Sequence, residues 1–360
     1  MGSPTDKFMG MNPRHVWRIL GSIAVSLAII GLLWHWVNSG QTQARFSFHE
    51  LWAGLPLSML AVYFAAALAQ TFFRALRYRL LISAHQPEDL PGLGHIYLVA
   101  LIRNMLVDLF PARLGELSYI AMMNRRYRVN AGACVSSLTL SFVFDLIALL
   151  ILVVGLMMFQ RLHAELVGRL PVAILVLILV SAAAIVGIYP FCRWVTPKAS
   201  SFLLRPSAGN GSRRLGRLVQ LINAALQSTA RIGILLPTLG YALAIRCIKY
   251  GGLYALFIAV AGSLGDAGAV QEHGVGTVLT ALLSAEGAAS LPVPAFMGFG
   301  TYEAGGTAAL TLLGISAASG LVIMLAIHIL SQIIDYSLGA LATIIFLVYP
   351  ARTTISAAPK

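Results

Sequence analysis

The stretch LFPARLGELSY, Leu109 to Tyr119, interrupts a run of apolar residues. It follows HIYLVALIRNMLVD and leads into IAMM, so a proline, an arginine, a glycine and a glutamate stand where the flanking sequence reads as membrane. A proline that ends a helix at membrane depth leaves backbone amides and carbonyls without partners, and hydrocarbon supplies none. Such backbone persists only against protein or around a water-filled cavity. The stretch therefore points to a fold built around broken helices rather than a plain series of spans.

The rest of the chain sets that reading in a membrane. Of its 360 residues 58% are hydrophobic and 11% charged, with a mean hydropathy of +0.83, far outside the soluble globular range. Nearly charge-free windows run over Val16–Val37, Pro56–Phe73, Ala133–Phe159, Pro171–Tyr189 and Gly320–Tyr349. Each is long enough to cross about 30 Å of hydrocarbon. The first lacks a small-residue cleavage site and reads as a retained anchor. The longest polar interval, 193–231, reads as a basic loop with a short amphipathic helix, too small for a catalytic domain. Cys134, Cys192 and Cys247 show no CxxC spacing, and the histidines form no HxxxH or HxxEH pair, so neither a disulfide framework, a metal site nor a cofactor is expected.

The net charge of +12 is a matter of topology, not of nucleic-acid binding. Lys7, Arg14, Arg18, Arg74, Arg77, Arg79, Arg125, Arg126, Arg128, the 193–231 loop, Arg352 and Lys360 fall on one side, and Arg45, Arg161 and Arg169 on the other. The positive-inside rule then places both termini in the cytoplasm. The expected location is the cytoplasmic (inner) membrane of a prokaryote, with several passes.

The expected fold is all-α, a single membrane domain over 1–360 with about six full transmembrane helices. Two further segments, Gly94–Tyr127 and Gly274–Leu313, are apolar but broken and read as re-entrant hairpins, one entering from each side. The halves 51–159 and 232–349 then match as an inverted repeat. Each has a helix with embedded basic residues (Arg74 and Arg77; Arg246 and Lys249), a broken hairpin with a glutamate (Glu116; Glu303) and a helix with a buried aspartate (Asp145; Asp335). The glutamate-to-aspartate spacings are 29 and 32 residues. Such repeats suit a site that must face both sides of a membrane in turn.

Charged groups at this depth each cost roughly 2.5 to 3.5 kcal/mol, so they line a polar site or pair with one another. Ser137, Ser141 and Asp145 form one helical polar stripe, His328, Gln332 and Asp335 another, and Gln70, Arg74 and Arg77 a third. Pro111 opens a helix N-terminus whose amides, with Arg113, make a phosphate seat. Arginine suits that role because its planar fork binds phosphate oxygens bidentately. Arg113 can equally be held by Glu116, Arg246 or Lys249 by Glu286, Glu303 or Asp335, and Arg103 with Asn104 can cap the hairpin. His328 alone reads more readily as packing than as a proton relay. Gly115, Pro292, Pro294, Gly298 and Gly300 complete the helix breaks, the glycines by permitting tight turns.

NxLxxxFPARLGELSY and the later LPVPAFMGFGTYE resemble the two signature segments of the lysylphosphatidylglycerol synthase transmembrane region, a flippase-like family. The run Arg77–Leu81 is similar to that family's segment after an early helix, and the resemblance spans about residues 16–350. It implies a lipid translocase fold, with Arg113, Glu116 and Glu303 at the family's polar positions. One departure stands out: the family runs Pro-Gly-Gly-x-Gly before the second glutamate, whereas Pro294 here is followed by AFMGFG, two residues longer. The soluble aminoacyl-transfer domain of the fused synthases has no counterpart, so synthase activity is not inherited. The expected activity is that of a flippase, not an enzyme, moving a phospholipid or polyprenyl-linked headgroup between leaflets, with a separate lipid-modifying enzyme as a further partner. The alternative is an integral-membrane enzyme acting on a lipid phosphate, a phosphatase or glycosyl transferase. A phosphatase would need a nucleophile or general acid at the hairpin, and FPARLGE contains neither serine nor histidine.

Overall fold

The computed structural model describes residues 13–38, 53–84, 86, 90–109, 115–163, 232–264, 267–290 and 295–348, and these are helical with no strand among them. In chain order the helices are α1 Pro13–Asn38, α2 Leu57–Ser83, α3 Leu93–Leu109, α4 Glu116–Tyr127, α5 Ala131–His163, α6 Ile232–Ser263, α7 Ala267–Ala289, α8 Thr301–Leu312 and α9 Ala317–Val348. Four of the described helices, α2, α5, α6 and α9, are long and apolar enough to cross a membrane. Their exposed side chains include Phe64, Phe72, Phe142, Ile151, Leu341 and Leu347, the composition expected against lipid tails. The protein is a multi-pass membrane protein. The expected helix at Pro171–Phe191 and the 193–231 loop lie outside the described residues.

One boundary corrects the sequence reading. The second span is expected to end at Phe73 with arginines at its cytoplasmic edge, but α2 continues to Ser83. Arg74, Arg77 and Arg79 are therefore helical residues, and Arg77 is buried. A buried ion pair accounts for this, because a charge-count rule takes arginine as a marker of water.

The chain divides into two compact units that are not its sequential halves: one gathers 1–64, 104–115 and 252–337, the other 65–103, 116–251 and 338–360. In the second unit Ala75, Tyr78 and Ile82 of α2, Ile96, Val99 and Ala100 of α3, Tyr119 and Met123 of α4 and Ala133 and Cys134 of α5 pack as one buried cluster. Glu116 in the first turn of α4 and Arg125 and Arg126 in its last turn match the helix dipole. The helix closes when Arg128 turns to φ 56° and the Val129 amide donates to the Met123 carbonyl at 3.2 Å. Asn130 then opens α5, its side-chain oxygen accepting the Gly132 N–H at 2.7 Å.

In the first unit α7 and α8 form a hairpin packed through glycine. A Cβ on Gly305 would stand 2.5 Å from Ala288 Cβ and 2.6 Å from the Ser284 carbonyl oxygen, so the backbones meet where no side chain fits. The turn before α8 is held by α1: the Phe296 amide donates to Ser26 Oγ at 2.8 Å. Gly298 and Gly300 take φ of 76° and 89°, and a Cβ on Gly300 would meet Ile29 at 2.7 Å. The chain is interrupted likewise between α3 and α4, where Gly115 presses onto the backbone of Leu106 and Val107.

Candidate functional site

In the unit containing residues 65–103 and 116–251, the helical spacing of α2 places Arg74 and Arg77 on one face. Arg77, 1% exposed, donates from Nη1 to Asp145 Oδ1 at 2.6 Å and from Nη2 to Oδ2 at 3.1 Å, a bidentate fork onto the polar stripe of α5. Its Nε–H and the hydroxyl of Ser141, one turn before Asp145, are both buried with no hydrogen-bond partner among the described residues. Buried donors left open in this way are uncommon in native structures and mark places where a water or a ligand binds.

The break between α3 and α4 is clamped by a second fork. Arg103 donates from Nε to Glu116 Oε2 at 2.8 Å and from Nη2 to Glu116 Oε1. Below it the rings of Tyr78 and Tyr119 lie 4.6 Å apart, and the Tyr119 hydroxyl meets Ser137 Oγ at 3.0 Å. The pairs belong to one electrostatic cluster: Arg74, Arg103 and Arg246 all lie within range of Asp145, and Arg74 within range of Arg77 and Arg103. Among the described residues of this unit the carboxylates are Glu116 and Asp145. Four guanidiniums thus share two carboxylates, and the surplus charge favours an anion.

The other unit has the opposite balance. Glu303 is fully buried in the first turn of α8, where Oε2 accepts the Gly300 N–H at 2.6 Å and Oε1 lies 2.7 Å from His328 Nδ1. Phe299 and Tyr302 face the imidazole with ring centroids at 4.4 and 4.5 Å. Gln332 Nε2 stands 3.3 Å from His328 Nε2, and one turn on Asp335 accepts the Tyr63 hydroxyl at 3.4 Å.

The family profile of the lysylphosphatidylglycerol synthase TM region matches residues 19–339. The chain belongs to that family. No curated protein and no solved structure matches it significantly. The match runs through both broken segments and every helix just described from α2 to α8.

Within this member of the lysylphosphatidylglycerol synthase TM family, the structure sorts the residues singled out by sequence. Arg77 joins Asp145, Arg103 joins Glu116, and Arg246 lies in range of the Asp145 pair. Glu303 is taken by His328 and its own helix start. Glu286 lies in electrostatic range of Tyr302, and Asp335 is engaged by Tyr63. Asn104 and Lys249 each have an interaction partner, as does Arg246. Arg113, Pro111, Pro292 and Pro294 lie outside the described residues. Sequence reasoning set Arg113 in a phosphate seat with Glu116 as its alternative partner, named Arg103 only as a cap of the hairpin, and left Arg74, His328, Gln332, Phe299 and Tyr302 out of the site. The polar stripes pointed to Arg74, His328 and Gln332, whereas no sequence signal marked the two aromatic rings.

Proposed function

We propose that the protein is a lipid translocase that carries an anionic headgroup between leaflets while the tails stay in the bilayer. The observation that carries this reading is Arg77: it is buried and paired with Asp145, yet keeps its Nε–H open within a cluster of four arginines. A headgroup phosphate supplies the acceptors this cluster lacks, and Ser141 offers one more donor. The carboxylates hold the guanidiniums in place when no lipid is bound. Membership in a family named for a lipid synthase's membrane region supports a lipid as substrate.

In this reading α3–α4 and α7–α8 are re-entrant hairpins of an inverted repeat, entering from opposite sides, with both termini in the cytoplasm of a prokaryotic cell. Two arms of 17 and 12 residues are each shorter than the roughly 20 needed to span, which supports re-entry. The activity is transport rather than catalysis, since both carboxylates beside the arginines are tied into forks instead of being poised for attack.

A leaflet-sidedness assay on reconstituted protein tests the reading. A labelled anionic phospholipid should change leaflets faster with the protein than in protein-free vesicles, and Arg113→Ala or Glu116→Gln should slow it. Unchanged movement in both variants would remove these residues from the pathway, and no movement with the wild type would overturn the translocase reading.

A further inference from the structure

We infer that the arginine cluster around Asp145 selects a phosphomonoester lipid, whose terminal phosphate carries two negative charges, over a phosphodiester lipid, whose phosphate carries one. The inference rests on the translocase reading and narrows its substrate class, and its test separates the failure of one from the failure of the other.

The charge count sets the preference. Arginine stays protonated in proteins, so Arg74, Arg77, Arg103 and Arg246, all within electrostatic range of Asp145, bring four positive charges. Glu116 and Asp145 return at most two negative charges, which leaves a surplus of at least two. A proton on either carboxyl would only widen that surplus, so it does not depend on their ionisation. Among the described residues of this unit no further carboxylate offsets it, and Arg79, Arg125, Arg126, Arg128, Arg161 and Lys249 are additional cations. Uncompensated charge among buried helices is costly until a counter-charge arrives. A phosphodiester headgroup supplies one charge and leaves the rest of the surplus standing, whereas a phosphomonoester supplies about two.

The open donors agree with the count. Arg77 is 1% exposed and Ser141 3%, yet Arg77 Nε and Ser141 Oγ have no hydrogen-bond partner among the described residues. Ser141 lies one turn before Asp145 on α5, on the same helix face, and Arg77 is forked onto Asp145 itself. Both open donors therefore belong to the surroundings of one carboxylate. A terminal phosphate presents three strong acceptor oxygens, so it can take both hydrogens and still turn an oxygen toward a further guanidinium. A diester has two such oxygens, its others being bonded to carbon on both sides.

The test compares two lipids labelled on the acyl chain, phosphatidate as the monoester and phosphatidylglycerol as the diester, in proteoliposomes of the full chain. With the protein-free rate subtracted, phosphatidate should change leaflets at least about tenfold faster than phosphatidylglycerol near pH 8. Near pH 5 that advantage should largely vanish, because the monoester takes up its second proton at about pH 6 while the arginines keep their charge. Arg246→Gln removes one cation and should slow phosphatidate more than phosphatidylglycerol, lowering the ratio; if this variant does not fold, the two pH values on wild type decide. Equal rates near pH 8, a ratio that acid leaves unchanged, or a ratio unmoved in folded Arg246→Gln would overturn the proposal and leave the translocase reading standing. No protein-dependent movement of either lipid would overturn the translocase reading, and this proposal with it.

Discussion

The Arg77–Asp145 fork predicts an asymmetric pair of mutational effects. Arg77 is 1% exposed and Asp145 24%, so neither member is far enough into solvent for its interaction to be largely screened. Asp145→Ala leaves a fully buried guanidinium without its bidentate acceptor in an already cation-rich cluster. Removing one partner of a buried pair costs about 3 to 5 kcal/mol, and the repulsion among Arg74, Arg77 and Arg246 puts this variant at the upper end. Arg77→Met leaves Asp145 partly wetted and still within range of Arg74 and Arg246, so its cost should be smaller, about 1 to 2 kcal/mol. Arg77→Met with Asp145→Leu removes both charges and should recover most of the loss, because replacing a buried pair by apolar groups of similar volume is often close to neutral. Denaturant unfolding of the purified protein in detergent reads all three variants against wild type. Equal costs for the single variants, or a double variant as poor as their sum, would refute the claim that this pair is buried and electrostatically coupled.

Three other outcomes follow from the geometry. Gly300→Ala should destabilise by about 1 to 3 kcal/mol, since φ is 89° and the new Cβ meets Ile29 at 2.7 Å, whereas Gly298→Ala meets nothing closer than 3.6 Å and should cost less in the same denaturant unfolding. Ser26→Ala removes the acceptor for the Phe296 amide and should cost about 1 to 3 kcal/mol, with Ser26→Thr retaining most of the stability. Burial, with the Arg126 cation adding to it, holds His95 below the usual histidine value at the start of α3. The folded state thus prefers the neutral ring, so this contribution to stability is complete above about pH 6.5 and is lost as pH falls toward the folded value. His95→Phe should flatten the acid side of the stability profile, and an unchanged profile would count against that burial.

The helices and their interruptions were legible because both depend on local signals. Apolar length marked α2, α5, α6 and α9, Phe110-Pro111 falls between α3 and α4, and the LPVPAFMGFG run ends in the positive-φ glycines before α8. The pairings were less legible, because a sequence supplies charges without saying which faces meet. Glu116 finds Arg103 across the break, and Asp145 reaches Arg77 from 68 positions away. Arg77 was read both as a mark of the cytoplasmic edge and as part of an embedded polar stripe, since hydropathy scores a paired and an unpaired arginine alike. His328 showed as part of a periodic stripe and read more readily as packing than as a proton relay. Its meaning comes from Glu303 on another helix and from two rings brought in by the turn around Gly298.

The central claim is that surplus positive charge around Asp145 draws a lipid phosphate through the membrane. The most direct measurement compares wild type with Arg246→Gln, which lowers that surplus by one charge while keeping the Arg77–Asp145 fork and the Arg103–Glu116 clamp. With folding verified by thermal melts, movement of a labelled anionic phospholipid between leaflets of proteoliposomes should slow about tenfold, equivalent to about 1.4 kcal/mol. Movement at the wild-type rate in a folded Arg246→Gln protein would contradict the account.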